Sequence, residues 1–168
     1  MAQIVTRFIQ AATLRRDAFL WMYFEGQATG DAVVLVTITA LVLPAAVFGK
    51  LDVGIYVGAV ISSLFAWLIV SALVWAAAKW IFEGHGEYAG VLRVVGFAFP
   101  TLLLLLVTLP VLGGLLGLAV GSLWFVAVIA AGLQVVMEMP QDRAWGAALA
   151  GFASWLILQE IGFGRLLL

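Results

Sequence analysis

The sequence contains no cysteine, a single histidine and few charges, with 10% of its 168 residues being Asp, Glu, Lys or Arg. Without cysteine there is no disulfide, thiolate metal site or cysteine nucleophile. A net charge of −1, from 8 basic and 9 acidic residues, lacks the basic excess that nucleic-acid binding needs, so no nucleic acid is expected as a partner. The shortage of charge also argues against a soluble globule, because 65% of the residues are hydrophobic where a soluble domain has roughly 45–50%. A chain this small exposes much of its surface, and its charged residues are too few to cover it. The lipid bilayer is therefore the expected solvent and the first partner.

What the sequence does have is long uncharged runs. A charge at mid-bilayer costs about 2.5–3.5 kcal/mol on insertion scales, so the windows between charges mark candidate spans. They cover residues 32–49, 53–78, 94–137 and 144–159. As one helix, the third would be roughly twice the hydrocarbon thickness, so it must fold back. Pro110 followed by Gly113-Gly114 predicts the break. The expected fold is an all-α polytopic bundle of five transmembrane helices, at about 32–49, 53–78, 94–112, 115–137 and 144–159. The last window is short, but Arg143 and Glu160 at its ends can snorkel.

Residues 1–31 precede these spans. Ile4, Val5, Phe8, Ile9 and Ala12 recur at helical spacing, with Gln3, Arg7 and Gln10 opposite, which predicts a short amphipathic interfacial helix ending near Thr13. Asp17 is expected to cap a second turn carrying Phe19, Trp21, Tyr23 and Phe24, placed at headgroup level or against the bundle. The segment lacks the pattern of a cleaved signal peptide and is expected to be retained. Arg7, Arg15, Arg16, Lys79, Arg93 and Arg143 fall on one side of the five-span arrangement, and Lys50 and Arg165 on the other. The positive-inside rule then makes the N-terminus cytoplasmic and the C-terminus extracytoplasmic.

Small residues repeat every fourth position at Gly54, Gly58 and Ser62 and again at Gly113, Gly117 and Gly121. Such faces let helix backbones approach closely, within the bundle or against another membrane protein or a second copy of the chain. A transporter normally carries ionisable groups at membrane depth, and no window contains one; Thr37 and Thr39 can bond to their own helix. Glu83, His85 and Glu87 are the only metal candidates, since an extended loop would align two carboxylates and an imidazole. A glycine-rich hydrophilic turn explains the same residues more simply. No cofactor and no catalytic residue is expected, as the serines lie in spans without a histidine to serve as base.

The stretch Phe82-x-Gly84-x-Gly86-x-Tyr88, then Leu92-Arg93, Gly96-Phe97 and Pro100, resembles the loop and third-span entry of the Yip family, the Rab-interacting membrane proteins and their prokaryotic relatives. The resemblance implies five spans, a short cytoplasmic lead, an extracytoplasmic C-terminus and a prokaryotic plasma membrane. The turn Gln141-Asp142-Arg143-Ala144 fits its last loop. Eukaryotic relatives have a longer cytoplasmic region associated with GTPase contact; it has no counterpart in these residues, so Rab binding is not carried over. In physical terms Gly84 and Gly86 allow a tight turn, Arg93 can snorkel, and Gly96 and Pro100 permit close packing and a kink. The expected function is that of a non-enzymatic membrane protein acting through protein or lipid contacts. An accessory subunit of a larger membrane complex and a small-solute transporter are the alternatives.

Overall fold

The computed structural model describes residues 2–48 and 53–158, and every regular element in them is helical. Helix α1 spans Ala2–Ala12, α2 Arg16–Phe24 and α3 Ala28–Phe48. Helix α4, Val53–Ala76, runs on through a π turn at Ala77–Ile81. Helix α5, Tyr88–Ala98, passes into a 3-10 turn, Phe99–Leu104, and then into α6, Leu105–Leu112. Helices α7, Gly114–Val136, and α8, Gln141–Leu158, complete the described chain. Among the described residues, four segments are long and apolar enough to cross a membrane: Ala28–Ala46, Val53–Ile81, Tyr88–Leu112 and Gly114–Val136. Lys50, Asp52, Glu160 and Arg165, which border the sequence windows, lie outside the described residues.

The helices do not start where the charges stop. Helix α3 begins at Ala28 with Asp31 in its first turn, where a carboxylate complements the positive end of the helix dipole. Helix α5 begins at Tyr88, ahead of the Val94 window edge, and carries Arg93 within it. Asp17 is not a cap: the N-cap of α2 is Arg15, whose side chain makes no capping bond, and Asp17 lies in the first turn. Pro110 does not make the break after the third span, because it stays inside α6. The chain turns at Gly113, with φ of 81°. Proline removes one donor without changing the hand of the backbone, whereas this reversal needs a positive φ that glycine adopts at least cost.

Helix α5 is the axis of the bundle. Its Val91, Val94, Val95 and Phe97 are fully buried, and α1, α2, α3, α4 and α7 all pack on it. Phe97 meets Trp21 of α2 edge-on with ring centres 6.0 Å apart. Beyond it, Phe99 meets Phe125 at 5.8 Å, and Phe125 meets Phe152 of α8 at 5.7 Å. The outward faces are apolar instead of charged: Phe65 is 61% exposed and Leu115 84%, as expected of helices solvated by lipid.

The two small-residue repeats have different surroundings. A Cβ at Gly117 would stand 2.5 Å from the Thr108 carbonyl oxygen, and one at Gly121 would strike the Leu105 side chain. The close approach lets the Thr108 hydroxyl donate to the Gly117 carbonyl at 2.9 Å, a bond between α6 and α7 of the kind that holds helices together in lipid. Around Gly54 and Gly58 the space is open, with nothing within 4 Å of an added Cβ. Ser62 is exposed and donates to the Ala59 carbonyl on its own helix at 3.1 Å.

Gly117→Leu should therefore lower stability by about 1–3 kcal/mol through overpacking, while Gly58→Leu stays within about 0.5 kcal/mol of the parent. Denaturant unfolding of the detergent-solubilised protein measures both, and equal losses at the two glycines would contradict this packing.

Candidate functional site

Two loops and the N-terminal helices meet at one end of the bundle. The π turn redirects the end of α4, so that the Phe82 amide donates to the Ala77 carbonyl at 3.2 Å and the Gly84 amide to the Ala78 carbonyl at 2.8 Å. The His85 amide then donates to the Met137 carbonyl at 3.1 Å, joining this loop to the one that follows α7. Gly84 and Gly86 are buried in the seam. A Cβ at Gly84 would lie 2.9 Å from Met139 Sδ, and one at Gly86 would strike the Val136 carbonyl. Glu83, His85 and Glu87 alternate with the glycines and are all exposed.

That alternation turns these three side chains away from the seam. Glu83 takes a left-handed backbone, φ 59°, and its Oε2 accepts from Arg143 Nη1 at 3.1 Å. With side chains 48% and 78% exposed, the pair is a surface bridge worth at most about 1 kcal/mol. No group of three His, Cys, Asp or Glu residues able to hold a metal occurs among the described residues.

Arg93 is the charged group with the most internal role. From α5 its Nε donates to Thr29 Oγ1 at 2.9 Å, and Nη1 donates to the carbonyls of Met22 at 2.9 Å and Tyr23 at 3.2 Å. Those carbonyls belong to the last turn of α2, which has no helical donors for them, and a cation suits the negative end of that helix dipole. The side chain that sequence placed at the membrane surface thus ties α2 and the start of α3 to the central helix.

The remaining motif residues surround this tie. The Tyr88 hydroxyl donates to the Leu68 carbonyl at 3.2 Å. A Cβ on Gly96 would stand 2.6 Å from Ala32 Cβ and 3.0 Å from Trp67 Nε1, so the glycine lets α3 and α4 close on α5 together. Trp67 uses the proximity to donate to the Leu92 carbonyl at 2.8 Å. Pro100 is buried and opens the 3-10 turn, where the Thr101 hydroxyl returns to the Ala98 carbonyl at 2.6 Å. The structure therefore brings Gly84, Gly86, Tyr88, Arg93, Gly96 and Pro100 into one packed region, leaving the Gly54 and Gly113 repeats outside it. Sequence reasoning missed Trp67, Met137 and Met139. The available signal was the glycines they fill in for: Gly96 for Trp67, and Gly84 and Gly86 for the methionines.

Arg93→Met should cost about 2–4 kcal/mol, since it strips the charge-assisted donor from helix-end carbonyls, and Arg93→Lys should recover only part because a single ammonium cannot reproduce the fork. Faster amide exchange across residues 16–24 would locate the damage, and unchanged protection there would contradict the clamp. Replacing Glu83, His85 and Glu87 together by Gln should shift stability by less than about 1 kcal/mol; a larger loss on thermal unfolding, or protection by added zinc in the parent alone, would require a metal role.

Comparison with curated proteins and with solved structures returned no match. A family model does match: the Yip1 domain, over residues 12–159. The match takes in the loop with its two glycines, the Arg93 clamp and all the helices of the bundle from α2 to α8. The chain belongs to the Yip family of membrane proteins.

Proposed function

We propose that this protein is a five-crossing, non-enzymatic member of the family, acting in a prokaryotic plasma membrane through contacts with other proteins or with lipid. The observation that carries this reading is the way the buried polar groups are used. Thr39, Ser71 and Thr101 are the buried polar side chains among the described residues, and each donates to a carbonyl of its own helix turn, at 2.8, 2.6 and 2.6 Å. Hydroxyls satisfied in this way offer a solute or proton little to bind. The exposed surface of the long helices, by contrast, is available for contact.

Helix α8 supports the fifth crossing. Its uncharged part, 144–158, spans roughly 22 Å, and Asp142 and Arg143 in its first turn can snorkel to make up the ~30 Å hydrocarbon core. Gly146 lies against Phe82 at the loop end of α4, and Gly151 lies against Val74 further in, so the two helices run antiparallel. Away from the bundle it exposes Leu149, Leu156 and Ile157, which suits lipid better than water. With the N-terminal helices and the loops after α4 and α7 at one end, five crossings leave the C-terminus at the other. The basic residues at the loop end support a cytoplasmic N-terminus, with α1 lying along the interface.

The accessory-subunit reading draws on the open Gly54, Gly58 and Ser62 face, which a helix of another membrane protein could occupy. A transporter reading has no comparable observation in its favour.

A reporter fused after Leu168 should read outside, and one inserted between Gly84 and Glu87 should read inside. A C-terminal reporter that reads inside would remove one crossing, with α8 then lying on the surface. Extraction in mild detergent should separate the two modes of action, because a stoichiometric protein partner would favour the subunit role.

A further inference from the structure

At the loop end of the bundle a groove of about 480 Å³ separates the start of α2 from the end of α7 and the entry to α8. Its polar lining comes from Arg16, Gln134 and Gln141, and its apolar lining from Phe19, Ala131 and Val135. Gln134 and Val135 occupy the last turn of α7, and Ala131 sits roughly one turn deeper. Arg16 and Gln141 are exposed and make no hydrogen bond or ion pair with the described residues. Gln134 holds only a long contact from Nε2 to the Ala130 carbonyl, 3.4 Å, which leaves its Oε1 and second amide hydrogen available.

We propose that this groove binds one anionic phospholipid of the surrounding leaflet, with the phosphate against Arg16 and the two glutamines and an acyl chain along Ala131 and Val135. The inference rests on the membrane reading given above and adds a ligand to it. Three observations select the lipid. The cation in the groove has no counter-ion among the described residues, and a phosphate would supply one. The lining changes from polar to apolar over about one helical turn, as a glycerophospholipid does between headgroup and chain. The groove also lies where α7 leaves its apolar run, at the depth expected for headgroups. A soluble anion would use the polar half alone and leave the part-exposed Ala131 and Val135 facing an empty cleft.

Native mass spectrometry of the full-length protein, titrated in detergent with phosphatidylglycerol or phosphatidylcholine, tests the site. One phosphatidylglycerol should bind in preference, and Arg16→Gln should weaken it about fivefold, the equivalent of about 1 kcal/mol for one interfacial cation. Arg15→Gln, next to the groove but outside its lining, should change it less than twofold. Ala131→Trp, which fills the apolar wall, should reduce binding of both lipids. Equal retention of the two lipids by the parent, equal losses from the Arg15 and Arg16 variants, or displacement of phosphatidylglycerol by millimolar inorganic phosphate would each overturn the proposal. The reporter fusions keep the membrane reading separate: the expected topology together with no lipid preference would count against this groove alone.

Discussion

A guanidinium facing the uncapped end of a helix organises the loop end of this protein. The last carbonyls of α2 have no donors of their own, and Arg93 supplies them from the central helix while also reaching Thr29 at the start of α3. An arginine on a membrane helix would ordinarily be a liability of about 2.5–3.5 kcal/mol at mid-depth. Placed within two turns of the start of α5 and given three acceptors, it becomes the link between the N-terminal helices and the bundle. The aromatic contact of Trp21 on Phe97 and the burial of Phe19 and Met22 depend on α2 being held there.

Glycine sets the second constraint, through distance. Gly96 allows α3 and α4 to reach α5 at the same level, Gly117 and Gly121 allow α7 to lie on α6, and Gly84 and Gly86 allow two loops to lie on each other. In each case a polar bond occupies the approach: Trp67 to Leu92, Thr108 to Gly117, and the His85 amide to Met137. Lipid gives helices no hydrophobic reason to associate, so close contact and a bond at the point of contact must supply the cohesion. Gly54 and Gly58 share the spacing without the contact, which shows that the repeat alone does not identify a neighbour.

The helical class and the apolar segments were legible because they depend on composition, which a bilayer constrains more strongly than water does. The helix starts were less legible. Charge-free windows treat a charged residue as an end, yet Arg93 and Asp31 lie inside helices where partners or the helix dipole offset their cost. Of the break expected at Pro110 and Gly113-Gly114, the glycines mark the turn, through the positive φ at Gly113, while Pro110 stays inside α6. Asp17 carries the side chain of a cap one position beyond Arg16, where the helix has already begun. The family motif names the glycines of the loop seam and the arginine that bonds to α2. The residues that fill that region, Trp67 and the methionines after α7, are distant in sequence and have no spacing that announces them.

The enclosure of α5 also bears on the order in which the chain can be assembled. Helices α1 to α4 are synthesised before it and α7 after it, so the axis of the bundle emerges when only part of its surroundings exists. The partners of Arg93, on α2 and at the start of α3, are already made by then. The charged turn of α5 can be satisfied as it enters the membrane, whereas Val94 must wait for Gly132 of α7, whose missing side chain makes room for it. Biogenesis would pass through a stage in which the polar tie is complete and one apolar flank of the central helix still faces lipid, a solvent in which such waiting costs little.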